Sequence, residues 1–336
     1  MNERSVWLRP QTWLGIAVSV VCLFAISFFV DEQKVMEAAR TADYRWLLLA
    51  FIVQLVYLWL RAVRWRFMLG NDITTPQTFR IQNIGYMITS LLPLRLGEIA
   101  KVILLKAHPP LTIGQGLSTV VLERILDLLM VLTLLPIGLL SVETLPEWAQ
   151  GGVRVLVVLA LIGIVVVIVA ANNRGLIGRI VLTLCKPFSF LNGSTWKKRV
   201  DTLLDGLKTL TQWKSGSILF LLTIITWLTV MLSYQFGMFA FGLRPSFLQA
   251  TFVMCAAALS IAAPSSPGGL GVFHAGVISA MSLFGWDSDV STSYAFLYHA
   301  LIFSTNVALG AIGLARTQTS FGQLISSSKT FVNPKE

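Results

Sequence analysis

Six charged residues stand in two neighbouring stretches of the chain that are otherwise apolar: Arg95, Glu98, Lys101, Glu123, Arg124 and Asp127. Charge inside a bilayer is energetically expensive, so such residues indicate a functional site by default. The six charges sum to zero and can neutralise one another. Glu123 and Asp127 are four residues apart and share a helix face, and Arg124 can reach Asp127. We interpret the group as a polar cavity for an anionic headgroup, with a structural ion-pair lock between helices as the alternative.

Arginine supplies the chemistry that such a headgroup needs. Its side chain presents a planar fork of N–H donors that fits the oxygens of a phosphate group. Arg61, Arg64 and Arg66 stand at the end of an apolar stretch and are expected to add unpaired positive charge near these six residues. They either serve the same cavity or extend their charged ends to the membrane surface.

A second candidate region contains Pro267, Gly268 and Gly269, with His274 just after it and His299 further along. The glycines allow backbone to approach a ligand closely. A helix that restarts after such a break points free N–H groups at an anion. Each histidine titrates near neutrality in water and could couple movement to protons, or could be a neutral, hydrogen-bonded core residue.

Composition places these residues in a membrane. Of 336 residues, 55% are hydrophobic and only 12% are charged, whereas a soluble domain carries roughly 25% charged residues. The mean hydropathy is +0.74. The three Cys and three His residues are scattered, so the sequence predicts neither a metal site nor a cofactor. The net charge of +10 indicates cytoplasmic loops rather than binding to nucleic acid.

The predicted fold is an all-α polytopic membrane protein with six full spans and two re-entrant helical hairpins. An apolar helix of about 20 residues crosses a bilayer. The predicted spans, of which the first is taken as an uncleaved anchor, are residues 11–30, 46–68, 118–140, 153–171, 217–240 and 292–314. The regions 78–107 and 248–284 are interrupted by Pro and Gly, which break helices. Four short but complete spans are the alternative for these two regions.

Charge distribution orients the chain and indicates a repeat. Seventeen of the 26 Lys and Arg residues fall on one predicted side, which places both termini in the cytoplasm. Residues 46–140 and 217–314 then follow the same order of span, broken region and span in opposite orientation, all within a single integral domain of residues 1–336. Residues 172–216 between them are predicted as an amphipathic linker on the cytoplasmic leaflet. Inverted repeats with broken helices are typical of secondary transporters.

Four motifs in order resemble the transmembrane region of lysylphosphatidylglycerol synthases, also called the flippase-like domain family. The similarity covers about residues 11–314. The motifs are Arg61-Ala-Val-Arg64-Trp65-Arg66, Leu92-Pro93-Leu94-Arg95-Leu96-Gly97-Glu98, Glu123-Arg124-Ile-Leu-Asp127 and Pro267-Gly268-Gly269-Leu270-Gly271.

The resemblance implies a protein that moves lipid rather than an enzyme. In the best-known members this region carries an aminoacylated phospholipid between leaflets, and a separate soluble domain makes that lipid. Only about 20 residues follow the last predicted span, so we expect no synthase domain. The family usually has an acidic residue where this chain has His274, and often an Arg near His299. These departures keep this half neutral and suggest a pair that changed together.

The sequence therefore predicts a flippase for an anionic phospholipid, a polyprenyl-phosphate-type lipid or a lipid-linked sugar, in the plasma membrane of a prokaryote. A lipid glycosyltransferase is one alternative, because Asp287-Ser288-Asp289 matches a metal and nucleotide-sugar pattern. Capping of the following helix by Asp289 explains that pattern more simply. An accessory subunit of a lipid-synthesising partner protein is another alternative, and the sequence also leaves room for an oligomer.

Overall fold

The computed structural model describes residues 20–24, 31–92, 95–142, 151–152, 155, 157–163, 212–262, 266–317 and 319–332, and their regular structure is helical throughout. The α-helices discussed below are α1 Glu32–Thr41, α2 Tyr44–Leu69, α3 Thr75–Leu91, α4 Leu96–Leu105, α5 Ile113–Leu139, α6 Trp213–Phe239, α7 Phe247–Ser260, α8 Val272–Ser282, α9 Ser288–Ala315 and α10 Phe321–Val332. Of the predicted spans 11–30 and 153–171, only residues 20–24 and parts of 155–163 are described, and these are helical. The predicted linker lies outside the described residues up to position 211.

Within the described residues, three helices are long and apolar enough to cross a membrane: α2, α6 (from Lys214) and α9. They contain the predicted spans 46–68 and 292–314 and all but the last residue of the predicted span 217–240. Helix α5 is 27 residues long, but Glu123, Arg124 and Asp127 interrupt its apolar sequence. In a bilayer these three charges require partners from neighbouring helices.

The first broken region consists of two helices, α3 and α4, with the break at the predicted position. Helix α3 ends at Leu91, and α4 begins after Arg95, which adopts the left-handed conformation with φ of 52°. Gly97 on α4 lies directly against the backbone of Gly85 on α3. A side chain at Gly97 would collide with that backbone, so glycine allows α4 to fold back along α3.

The second broken region has the same outline but a different connection. Helix α7 is followed by a 3-10 turn at Pro267–Gly269 and then by α8. Gly268, Gly269 and Gly271 have φ values of 69°, 72° and 83°, a conformation that glycine adopts without steric penalty. Gly276 of α8 lies against the side chain of Ser260 at the end of α7.

Each long helix packs against a helix of the other half of the chain. Helices α2 and α6 run antiparallel, since the Asp43 N–H donates to the Ala240 carbonyl at 2.8 Å and the Ser233 hydroxyl donates to the Ala50 carbonyl at 2.9 Å. Helix α9 packs on α3, and α5 packs on α7. The last long helix of each half therefore lies against the first short helix of the other half.

Candidate functional site

A cavity of about 630 Å³ lies between the two halves. Both broken regions contribute to its wall, Arg95 and Glu98 from the first and Gly268 and Gly269 from the second. Residues of α2, α3, α5, α6, α7 and α9 complete it. Positions that the sequence separates by more than 170 residues thus face one space.

Glu123 is the centre of an ion-pair network behind this wall. Its side chain is completely buried and accepts hydrogen bonds from Arg61, from Arg64 at 3.2 Å and from Lys101 at 3.2 Å. These cations come from α2 and α4, so one carboxylate joins three helices. The ammonium group of Lys101 also lies 4.5 Å from the ring centre of Trp65, a favourable cation–π contact. The structural alternative, an ion-pair lock, therefore holds for Glu123.

Asp127 and Glu98 extend the network to the cavity surface. Asp127 pairs with Arg61 at 3.1 Å and with Arg64 at 2.9 Å, and Arg124 lies 3.7 Å away. Arg124 also pairs with Glu98, which accepts from Lys101 at 3.3 Å as well. Every carboxylate in the network therefore has at least two cations beside it.

The expectation that Arg61 and Arg64 carry unpaired charge is wrong. Both pair with Glu123 and Asp127, and Arg64 is fully buried, so neither side chain extends to a membrane surface. Their partners lie about sixty residues away along the chain, beyond the reach of any rule based on local spacing. Arg66 instead donates to the Ile73 carbonyl at 2.9 Å.

Pairing does not remove the positive charge of the site. The cations of the cavity wall and network are Arg61, Arg64, Arg95, Lys101 and Arg124, whereas the carboxylates are Glu98, Glu123 and Asp127. Five positive and three negative groups leave a net charge of +2 when all are ionised. An anion in the cavity would offset this excess.

Arg95 links the two broken regions directly. Its guanidinium donates to the Ile261 carbonyl, just after α7, at 2.7 Å. It is the one non-glycine residue with positive φ among the described residues. A non-glycine residue held in this sparsely populated conformation stores strain, which is common at functional sites.

His274 and His299 contact each other through their ring nitrogens. Nδ1 of His299 lies 3.3 Å from Nε2 of His274. The Gly271 N–H donates to Nδ1 of His274 at 3.1 Å, and Nε2 of His299 lies 3.0 Å from the Gly268 carbonyl. The two imidazoles therefore form a hydrogen-bonded chain that connects the Gly271 and Gly268 backbone groups of the second break.

The chemistry of these partners determines the tautomers. An N–H can only donate, so Nδ1 of His274 accepts and the proton of that ring is on Nε2. This proton points to Nδ1 of His299, so the second ring carries its proton on Nε2 and donates it to the Gly268 carbonyl. One arrangement of two neutral rings thus satisfies all four ring nitrogens. The interpretation as neutral, hydrogen-bonded histidines fits this geometry.

Eight of the thirteen predicted site residues line the cavity: Arg61, Arg95, Glu98, Arg124, Asp127, Gly268, Gly269 and His299. Arg64, Lys101 and Glu123 lie behind the wall within the network, and His274 lies behind His299. Pro267 begins the 3-10 turn without lining the cavity. The Gly271 N–H at the start of α8 is occupied by His274 and is not free for an anion, contrary to expectation.

Sequence reasoning missed several polar wall residues. Gln54 is 3% exposed and its Oε1 atom has no hydrogen-bond partner among the described residues. The Tyr86 hydroxyl and Oδ1 of Asn306 are unpaired in the same way. Gln54 and Asn306 are polar residues within apolar spans, a signal that first indicates contacts between helices. Only the position of the cavity distinguishes a wall residue from such a contact.

Asp287 and Asp289, the basis of the glycosyltransferase alternative, hold the start of α9. Asp287 accepts hydrogen bonds from the Asp289 and Val290 N–H groups at 2.9 and 3.0 Å. Asp287 is therefore the helix cap. The prediction that Asp289 caps this helix is wrong. Asp289 instead accepts from the Asp31 N–H at 3.0 Å and lies 3.7 Å from Lys34. Neither residue lines the cavity.

Long apolar helices, two broken helical regions and a cavity lined by charged residues define the chain as a helical membrane protein with a polar site between its halves. The family model for the lysylphosphatidylglycerol synthase TM region matches residues 12–310. The chain belongs to this family.

Relatives of similar length occur in archaea. Two UPF0104 membrane proteins of Methanothermobacter thermautotrophicus are 24% and 23% identical, and the matches cover 88% and 89% of this chain and 90% and 93% of theirs. A UPF0104 membrane protein of Archaeoglobus fulgidus is 21% identical over 90% of this chain and 95% of its own. No solved structure matches the chain.

Proposed function

We propose that this protein carries an anionic, phosphate-bearing lipid between the two leaflets of a membrane and that it does so without catalysing a covalent reaction. The single observation that supports this most is the shared cavity, in which Arg95 from one broken region reaches the carbonyl of Ile261 in the other. The phosphate would bind near Arg95 and Arg124, where cations of the wall exceed the available carboxylates.

The rest of the wall fits the apolar part of a lipid. Val230, Met254, Ile302 and Phe303 line the same cavity as the arginines. A ligand with one charged end and one hydrocarbon end would therefore contact complementary surfaces at both ends. A soluble anion would leave the apolar part of the wall in contact with water, which is unfavourable.

The proposed topology places the cavity at the middle of the membrane. Residues 46–140 and 217–314 would form two repeats of opposite orientation, each with a re-entrant hairpin, as part of six full spans, with both termini in the cytoplasm of a prokaryotic cell. The antiparallel pairing of α2 with α6 supports this arrangement. The reciprocal packing of α9 on α3 and of α5 on α7 supports it as well.

Arg95 would couple binding to movement. Its guanidinium holds the two broken regions together through the Ile261 carbonyl. An incoming phosphate would compete for the same N–H donors and, being charged, would form the stronger hydrogen bonds. Release of that carbonyl would then allow one broken region to move relative to the other.

Arg95→Asn tests this function with little change to the backbone, because Asn tolerates the left-handed conformation. The full chain would be reconstituted in liposomes with fluorescent phosphatidylglycerol, and leaflet exchange followed by quenching with dithionite. We expect wild type to accelerate exchange over protein-free vesicles and Arg95→Asn to slow it by about tenfold or more, the effect of roughly 1.4 kcal/mol. Arg244→Asn, at an exposed loop position outside the cavity, is the matched control.

Two results would contradict the proposal. Absence of acceleration by wild type, across several anionic lipids, would exclude transport of these lipids. Equal rates for wild type and Arg95→Asn would exclude the role of Arg95. An accessory role beside a lipid-synthesising partner would then be the better explanation if Arg95→Asn also supports normal function in cells.

A further inference from the structure

The carboxylates around the cavity are all occupied. Glu98 has Lys101 and Arg124 as partners, and Glu123 has three cations. Asp127 has Arg61 and Arg64 and also lies 3.4 Å from the indole N–H of Trp227. A cationic group entering the cavity would therefore find no unpaired carboxylate among the residues that the structure describes.

The second half of the cavity adds polarity without charge. His299 reaches the wall, and His274 behind it completes the neutral hydrogen-bonded pair. All four ring nitrogens are occupied by each other and by the backbone of Gly268 and Gly271. This position supplies neither a negative charge for an ammonium group nor a free donor for a phosphate.

Three unpaired, uncharged polar atoms in the described part of the wall are suited to hydroxyl groups. Oε1 of Gln54 and Oδ1 of Asn306 are acceptors, and the Tyr86 hydroxyl both donates and accepts. A buried acceptor without a partner is destabilising, so a ligand hydroxyl that donates to it would bind favourably. An ammonium group could donate to the same atoms, but it would lose its hydration and be repelled by the net charge of +2 in and around this wall.

We propose that the cavity selects lipids whose phosphate carries a neutral, hydroxyl-bearing headgroup, such as glycerol or a sugar, and discriminates against headgroups with an ammonium group. This inference rests on the proposed function. The lysyl lipid that the family resemblance implies is thereby a poor substrate for this chain. Arg95 and Arg124 bind the phosphate, and Gln54, Tyr86 and Asn306 bind the hydroxyl groups.

Asn306→Asp tests the selectivity, because it replaces an amide by a carboxylate of the same shape in the wall. Exchange of fluorescent phosphatidylglycerol and fluorescent lysylphosphatidylglycerol would be measured for the full-length wild type and variant in the same liposomes. We expect wild type to prefer phosphatidylglycerol by about tenfold or more, and Asn306→Asp to reduce that ratio by about tenfold. Asn71→Asp makes the same change at an exposed position and should leave the ratio unaltered.

A second variant and a binding assay distinguish a change in lipid selectivity from misfolding of Asn306→Asp. Gln54→Glu places a carboxylate at another wall position and should shift the ratio in the same direction. Native mass spectrometry of the detergent-purified chain, with each lipid and with soluble glycerol phosphate, measures binding without transport. We expect the chain to retain phosphatidylglycerol better than lysylphosphatidylglycerol and better than glycerol phosphate. Equal retention of glycerol phosphate and phosphatidylglycerol would overturn the claim that the ligand is a lipid.

The outcomes separate this inference from the proposed function. Transport of both lipids at equal rates, or a preference for the lysyl lipid, would overturn the selectivity and leave transport standing. An unchanged ratio in both Asn306→Asp and Gln54→Glu, with wild-type selectivity intact, would overturn the assigned wall residues. Absence of transport and of binding for every lipid would overturn both proposals.

Discussion

The two broken regions have the same outline but are held in place by different chemistry. At the first break, Arg95 adopts a strained backbone conformation and Glu98 joins a network of buried ion pairs. At the second, glycines form the turn and two neutral imidazoles join its backbone at Gly268 and Gly271. Ion pairs join the first region to its neighbours, whereas the turn of the second region is joined by neutral hydrogen bonds.

This difference shows how a symmetric arrangement can produce an asymmetric cavity. Matching helices surround one space, yet all the charged residues of its wall come from the first half, whereas the polar residues that the second half contributes, such as His299 and Asn306, are uncharged. A ligand would therefore have one preferred orientation across the cavity.

The largest effect is expected at the ionic side. Glu123→Gln would leave Arg61, Arg64 and Lys101 buried with one carboxylate fewer. Loss of one partner from a buried pair is destabilising by about 3–5 kcal/mol. Thermal unfolding of the detergent-purified chain measures the change, with Glu37→Gln on exposed α1 as the control. Equal unfolding temperatures for wild type and Glu123→Gln would show that the network does not stabilise the fold.

The two hairpins differ in what lies against the glycine at the contact between their helices. A methyl group at Gly97 would meet the backbone of Gly85, whereas one at Gly276 would meet mainly the side chain of Ser260. We expect Gly97→Ala to destabilise by about 1–3 kcal/mol, the usual range for overpacking, and Gly276→Ala by less.

Ser260→Gly removes the obstructing side chain and should rescue Gly276→Ala. For Gly97 no such rescue exists, since the obstacle is backbone. Unfolding temperatures of the single and double variants measure whether Ser260→Gly rescues Gly276→Ala. A Gly97→Ala protein as stable as Gly276→Ala would contradict the difference between the hairpins.

The smallest effect is expected at the neutral side and is best measured as a coupling. His274→Glu alone buries a carboxylate next to a neutral ring, and His299→Arg alone buries an unpaired guanidinium. The double variant would create an ion pair where the two rings now lie 3.3 Å apart. We expect a favourable coupling free energy of at least about 0.5 kcal/mol in a double-mutant cycle. Additive effects would mean that the rings do not act as a pair.

Sequence alone determined the local features of this protein. Hydropathy identified the long helices α2, α6 and α9, because an apolar run of sufficient length has few alternatives to a membrane helix. Pro and Gly marked both breaks, since each acts on its own backbone and on its nearest neighbours. The pairing of Arg124 with Asp127 followed from helical spacing, for the same short-range reason.

The tertiary structure decided which distant groups meet. Arg61 and Arg64 pair with residues of α5 because helix packing brings α2 beside it. The contact between His274 and His299, and the reach of Arg95 to Ile261, likewise join separate helices. Partner choice depends on the angle and depth at which helices pack, and these are set by side-chain contacts along their whole length rather than by the spacing of charges. The cavity itself exists only as the space left between helices, so no single stretch of sequence encodes it.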